Sequence, residues 1–310
     1  MKTCVLLYNP VSGNRSFKSK ISEIEKILQD YEYKPNIIQS MHPGHIEVLA
    51  RSRADSADLL ISAGGDGTFN EAVRGILSSS NPSVTIGHLP CGTMNDLGKT
   101  FGLSKNISKA LIQILEGENT TFDIPRINKL PFTYVVNCGM LSTVPYKTDS
   151  KFKKLFGASA YRLAALPEIL KKTEPFGLNY EVNGRIYNNE FLIAIISNSS
   201  GFAGFKDVYN EIALNDGKVE MVLVENANLN KILPQFSDLL FQKKKIEDLP
   251  SVHFYKSDNI KLKFEKIPVE GWCIDGDKGN INETEVKIEV VDKINLSLPK
   301  EKVKTLFKKQ

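Results

Sequence analysis

The stretch Ser62-Ala63-Gly64-Gly65-Asp66-Gly67-Thr68-Phe69-Asn70-Glu71 decides how this chain is read. The apolar run Leu59-Leu60-Ile61 leads into it, and Phe69, Ala72, Val73, Ile76 and Leu77 leave it at helical spacing. That pattern is a strand, a glycine turn and the start of a helix. Glycines let backbone N–H groups approach a ligand closely, and a helix start adds the positive end of its dipole. The local physics therefore favours an anion such as phosphate. The stretch is neither the GxGxxG of dinucleotide folds nor a P-loop, because no lysine closes it. Asp66 would repel phosphate unless a cation bridged them, which points to a metal–nucleotide complex. A tight βα turn without any ligand fits the stretch equally well.

The bulk numbers frame this local reading. The chain has 310 residues, 41% hydrophobic and 25% charged, with a net charge of +4. One large domain or two ordinary ones is the prior, with ample length for a core. The modest positive charge does not demand nucleic acid, although it suits an anionic surface or substrate. Cys4, Cys91, Cys138 and Cys273 are far apart and make no CxxC pair, so reduced thiols without zinc are expected. The apolar run Cys4–Tyr8 is too short for a signal-peptide core. No run approaches the roughly 20 apolar residues that span a bilayer. A cytoplasmic protein with at most peripheral membrane contact is expected.

Outward from the glycine stretch, residues 1–125 alternate strand and helix patterns. Thr3–Tyr8, Pro35–Gln39, Leu59–Ser62 and Val84–Leu89 read as strands. Ser16 is a candidate cap for a helix carrying Phe17, Ile21, Ile24, Ile27 and Leu28. Pro43 sits where another helix would begin, and Ile107–Leu115 reads as a third. This alternation predicts an α/β domain with a mainly parallel sheet and helices on both faces. Ligands bind such sheets beyond the carboxyl ends of the strands. The loops Asn9–Gly13, Gly64–Thr68 and Gly92–Asp96 should all fall at that edge.

The pattern changes near Asp123. Thr133–Cys138, Phe176–Val182, Arg185–Ser197, Val219–Val224, Val252–Tyr255, Ile260–Phe264 and Val286–Val291 read as strands. Asn183-Gly184 and Asp216-Gly217 are hairpin signals. Helical inserts are expected at about Phe156–Lys172 and Leu229–Leu240. The prediction is a second, mostly antiparallel β-sandwich domain over 126–295. The segment from about 296 to 310 looks helical and should return to the first domain.

Three motifs in order, Asn9-Pro10-Val11-Ser12-Gly13, Gly64-Gly65-Asp66-Gly67-Thr68-Phe69-Asn70-Glu71 and Pro90-Cys91-Gly92-Thr93-Met94-Asn95-Asp96, resemble the diacylglycerol kinase catalytic domain of lipid kinases. The later Asp275-Gly276-Asp277 is similar to that family's Asp-Gly-Glu, and the likeness extends to Asn215-Asp216-Gly217 and Gly201-Phe202-Ala203-Gly204. NAD kinases share Gly-Gly-Asp-Gly-Thr, but Asn-Pro-x-Ser-Gly and Asn70-Glu71 fit lipid kinases better. The resemblance implies an ATP- and Mg2+-dependent kinase that phosphorylates diacylglycerol to phosphatidic acid at the inner face of a membrane. Other lipid alcohols (a sphingoid base, monoacylglycerol or a prenol) are alternative substrates. Asn9, Pro10, Val11, Ser12, Gly13 and Ser40 would line the nucleotide site. Gly65, Asp66, Gly67, Thr68, Phe69, Asn70 and Glu71 would hold the phosphates with Thr93, while Asp66 and Asp96 order magnesium and its waters. A second, structural magnesium would take the Asp216 side chain and the carbonyls of Ala213 and Lys218. Asp277 would be the base that takes the proton from the lipid hydroxyl, with the reaction in a cleft between the two domains. Related bacterial enzymes suggest a homodimer, and no nucleic-acid partner is implied.

The sequence departs from its family at Asp277. Aspartate is one methylene shorter than glutamate, about 1.5 Å of reach, and a misplacement near 1 Å can cost about 100-fold in rate. A weakly active nucleotide- or lipid-binding regulator is therefore the competing class. Plainer readings stand beside each site residue. Asp66 and Asp96 suit helix N-caps, as does Ser40, and Asn9-Pro10, Asp216-Gly217 and Asp275-Gly276 suit ordinary turns. The lysine pairs Lys153-Lys154, Lys171-Lys172 and Lys308-Lys309 and the run Lys243-Lys244-Lys245 suit solvated faces or anionic lipid.

Overall fold

The structure is a computed structural model and describes residues 1–13, 17–93, 95–140, 174–202, 205 and 207–308. The expected helix over Phe156–Lys172, the Ser16 cap, Met94, Ala203, Gly204 and several of the lysines named above lie outside those residues. The chain divides into two compact units: Met1–Ile124 with Ala213–Gly217 and Val291–Gln310, and Pro125–Ile212 with Lys218–Val290. Among the described residues, no helix is long and apolar enough to cross a membrane.

The first unit is built on β1 (Lys2–Tyr8), β2 (Tyr33–Gln39), β3 (Leu59–Gly64) and β4 (Thr85–Pro90). They lie parallel in the order β4-β3-β1-β2. Val5, Leu6, Leu7, Leu60 and Ile61 are wholly buried, as strands covered on both faces require. Pro35 is tolerated because β2 is the edge strand, where a missing N–H breaks no ladder. The helices between these strands are α1 (Ile21–Asp30), α2 (His45–Arg53) and α3 (Asp66–Leu77), followed by the short α4 (Asp96–Thr100) and α5 (Ile107–Leu115). Phe69, Ala72, Val73 and Ile76 form the buried stripe of α3. Helix α2 starts two residues later than Pro43 suggests, because Gly44 takes a left-handed φ of 80° as its cap. The strand β5 (Glu118–Ile127), not expected from the sequence, closes this part of the chain.

The second unit holds β6 (Leu130–Pro131), β7 (Val135–Gly139), β8 (Phe176–Val182), β9 (Arg185–Ser197), β10 (Val219–Glu225) and β11 (Val252–Ser257). It continues through β12 (Asn259–Phe264), β13 (Trp272–Ile274), β14 (Asp277–Gly279) and the first part of β15 (Glu285–Leu298). Its strand pairs among the described residues are antiparallel. The long β9 serves two layers: residues 185–191 pair with β8, and residues 193–197 pair with β7 on one side and β10 on the other. Side chains from β7, β8, β9, β10, β12, β13 and β15 make one buried cluster that includes Trp272, Phe264, Phe176 and Tyr180. Helix α6 (Leu229–Leu240) matches its expected bounds.

Asp216-Gly217 leads into β10, and among the described residues after Ser197 no strand precedes it, so it does not join two successive strands as the expected hairpin would. The tail also differs. Strand β15 runs on to Leu298, pairing Leu296 with Ile86 of β4, and only then does helix α7 (Lys300–Leu306) begin.

Candidate active site

Strand register sets the geometry of the first unit's loops. Tyr8 pairs with both Gln39 and Ala63, and Gly64 pairs with Pro90. The four strands therefore end level, and the segments after residues 8, 39, 64 and 90 emerge at one edge. The order reverses between β1 and β3, which is where open α/β sheets hold ligands. Asn9-Gly13 and Gly64-Thr68 flank that point.

Backbone hydrogen bonds then draw the loops together. Asn9 N–H donates to Ala63 O at 3.0 Å, Ser40 N–H to Tyr8 O at 2.9 Å, and Cys91 and Gly92 N–H both donate to Gly64 O at 2.7 and 3.1 Å. Glycine is required where backbones meet. A Cβ on Gly92 would sit 2.5 Å from Gly65 Cα, and one on Gly13, whose φ is +55°, would run into the Cys91 carbonyl oxygen. Asn9 folds its own loop, its Oδ1 accepting Val11 N–H at 3.0 Å. The chain thus collects Asn9, Gly13, Gly65, Gly67 and Thr93 around the N-terminus of α3, whose first N–H groups have no acceptor within the helix.

Individual side chains divide by role. Asp66 accepts Asp96 N–H and Leu97 N–H, one on each oxygen, both at 3.0 Å. It is a cap, but for α4 rather than for its own helix, and it ties the second loop to the third. Burial pushes its carboxyl up against those two bonds. Asp96 pairs with Lys99 at 2.7 Å. Glu71 accepts Gly44 N–H at 3.0 Å, which anchors the segment after Ser40 to α3. Ser40, Thr68, Phe69 and Asn70 are buried; Phe69 packs on the rings of His88 and Phe101. Thr93 and Val11 are exposed, and Pro10, Ser12, Gly65, Asp66 and Gly67 are half-buried.

A second acidic locus lies in the same unit. The Asp216 side chain is buried, 3.4 Å from Lys308 Nζ. Asp123, on β5, accepts Gly217 N–H at 2.5 Å and lies 3.6 Å from Lys293 Nζ. Burial first, and the neighbouring Asp216 charge as well, hold the Asp123 carboxyl above its ordinary range. Both carboxylates lie near a lysine, and among the described residues no three His, Cys, Asp or Glu side chains converge, so a hard cation there would need backbone carbonyls as well. Asp123 was not among the sequence candidates. Its signal was a carboxylate between Phe122 and Ile124 inside a strand, where aspartate is disfavoured.

In the second unit, Ile274 and Asp277 face each other across a two-residue turn. Asp275 and Gly276 have φ of 49° and 90°, both positive, as a type I′ hairpin requires. Asp277 is exposed. Asp275 is wholly turned inward. Its Oδ2 accepts Thr133 N–H at 2.7 Å and Thr133 Oγ1–H at 3.1 Å, and its Oδ1 accepts Tyr134 and Val135 N–H at 2.8 and 2.9 Å. Burial raises its carboxyl to about 6 despite these donors.

The family model for the diacylglycerol kinase catalytic domain matches residues 3–127. Diacylglycerol kinases of Staphylococcus aureus strains RF122 / ET3-1 and MRSA252 are each 32% identical over 232 residues, which is 74% of this chain and 73% of theirs. A crystal structure of a diacylglycerol kinase from Bacillus anthracis str. Sterne matches with a TM-score of 0.73 at 19% identity, covering 94% of this chain and 96% of that one. A second solved structure from that strain reaches 0.78 at 21% identity, covering 94% of each chain. The chain belongs to the diacylglycerol kinase family of lipid kinases.

Proposed function

We propose that this kinase transfers the γ-phosphate of ATP to the hydroxyl of diacylglycerol, giving phosphatidic acid. The observation that carries the nucleotide half is the meeting of three glycine-bearing loops at the N-terminus of α3, held by the Gly64 carbonyl and the Gly65–Gly92 approach. Phosphoryl transfer needs charge neutralisation and alignment more than covalent help. The N-terminus of α3 supplies a fixed positive dipole, while the N–H groups of Asn9, Val11, Cys91 and Gly92 are spent holding the loops in shape, and Thr93 adds an exposed hydroxyl. When bound, magnesium would add neutralisation of the phosphate charge. Asp96 and Asp66 would order it and its waters near the loops. Asp123, Asp216 and the carbonyls of Ala213 and Lys218 would hold a structural ion.

Asp277 is the base in this reading, taking the proton from the attacking lipid hydroxyl. Asp275 is unsuited to that task because both its oxygens are occupied by donors. The second unit would receive the acyl chains, and the protein would meet its substrate at the inner face of a membrane, working from the cytoplasm.

The test is incubation with γ-labelled ATP, magnesium and micelles of diacylglycerol, a sphingoid base, monoacylglycerol or a prenol. Label should enter the diacylglycerol product, and Asp277→Asn should lower kcat at least about 100-fold, within the usual range for a lost general base. Labelling of a different lipid would move the substrate. Labelling of none would favour the regulator, and an undiminished Asp277→Asn enzyme would remove the base from the scheme.

A further inference from the structure

We infer that Asp275 is a positioning residue: its buried carboxylate clamps the hairpin that carries Asp277 to the strand start Thr133–Val135, fixing where the base stands. The inference rests on the reading of Asp277 as the base.

Contacts run both ways across this junction. The Asp275 carboxylate takes three successive backbone N–H groups and one hydroxyl, and Asp275 N–H itself donates to Val135 O at 2.8 Å. Behind it, β13 pairs with β7 through Ile274↔Val136, and Trp272 packs edge-on to Phe264 at 5.7 Å. Asp277 follows two residues after the clamp, as the first residue of β14.

The choice of residue is informative. A type I′ turn is satisfied at its first central position by asparagine as well as by aspartate. A buried charge is costly to desolvate, and the upward shift of its carboxyl records that cost. What ionised aspartate gains over asparagine is four acceptor sites, enough for all four donors at once. In either orientation an asparagine would turn its NH2 against at least one of the three backbone N–H groups. The turn by itself does not need the charge; a fixed register between the turn and residues 133–135 does. The pair is 140 to 142 residues apart in sequence, so no local interaction could replace it.

Three variants test this: Asp275→Asn, Thr133→Val and Asp277→Asn. Each is followed by kcat, by KM for ATP and by amide hydrogen exchange at residues 133–135. Asp275→Asn should cut kcat on the order of 100-fold, as a displacement near 1 Å does, with KM for ATP within about twofold. Its amides at 133–135 should exchange faster. Thr133→Val removes only the hydroxyl donor and should give a smaller loss of kcat in the same direction, which keeps the test open if Asp275→Asn does not fold. Wild-type kcat in Asp275→Asn, or a loss of kcat with unchanged exchange at 133–135, would overturn the inference. Asp277→Asn should lose activity with exchange at 133–135 unchanged. If Asp277→Asn stays active, the parent reading fails, and the exchange data still report on the clamp by themselves.

Discussion

At Asp66, one carboxylate is divided between two N–H groups of a different helix, one on each oxygen, so about half of its acceptor sites are spent before any ligand arrives. A residue that sequence reasoning assigns to a metal or to a cap turns out to do the capping across 30 positions of chain. His88 is the other residue whose surroundings set a measurable property. It is fully buried between Phe69 and Ser62, with Nδ1 3.0 Å from Ser62 Oγ. Burial lowers its pKa to about 4 from an ordinary 6.5. The unfolded chain therefore binds a proton between pH 6.5 and 4 that the folded chain refuses. Stability should be full above about 6.5 and fall with pH toward 4, by up to about 3 kcal/mol from this group. Urea midpoints measured from pH 7 to 4 should slope downward in the wild type, and His88→Phe should flatten that part of the slope. An unchanged slope in the variant would show that other groups carry the dependence.

Among elements, the glycine-bearing loops were legible in the sequence because glycines such as Gly13 and Gly92 stand where a Cβ would strike backbone. Their meeting depends on which glycine is replaced. A methyl at Gly92 would lie 2.5 Å from Gly65 Cα, a backbone atom with nowhere to go, whereas a methyl at Gly65 would find Gly92 Cα at an ordinary 3.5 Å. Gly65 also has an extended backbone, φ −88°, which alanine adopts freely. Gly92→Ala should therefore cost about 1–3 kcal/mol, the usual range for overpacking, and Gly65→Ala under about 1 kcal/mol. Chemical denaturation of the two variants reads the difference, and equal losses would mean that the loops part without strain. The parallel strands β1, β3 and β4 were legible for a related reason, since continuous apolar runs between turn signals leave few alternatives. The Asp275 clamp and the Asp123–Gly217 contact were not. Asp-Gly reads as a turn whatever its side chain does, and the partners that give these carboxylates their roles lie 142 and 94 residues away. The turn at Asp275-Gly276 was legible, but the strands β13 and β14 on either side of it were not, because three-residue strands carry too little alternation to register.

On the scale of the whole molecule, the first unit is discontinuous, and the composition shift near Asp123 marks only one of its borders. Ala213–Gly217 and Val291–Gln310 belong to it as well. Neither return is decorative. Asn295 and Leu296 of β15 pair with Thr85 and Ile86 of β4, which would otherwise leave an open edge. Leu296 and Leu298 are fully buried, each worth about 1.5–3 kcal/mol on burial. Leu214 N–H bonds Leu306 O at 2.8 Å, Asp123 N–H bonds Leu214 O at 2.9 Å, and the Asp123 carboxylate relies on Gly217 N–H and Lys293. Removing these partners strands a buried carboxylate and exposes a strand edge at the same time. Losses of that size are comparable with the whole margin of an ordinary domain, roughly 5–15 kcal/mol. Residues 1–124 expressed alone should thus give a broad, weakly cooperative urea transition, although they contain every nucleotide-site residue named above. The full chain should unfold sharply under the same conditions. A sharp transition of the fragment at the full chain's midpoint would mean that the parallel sheet stands without its returning segments, and that the contacts at Asp123 and Leu296 contribute little to holding it.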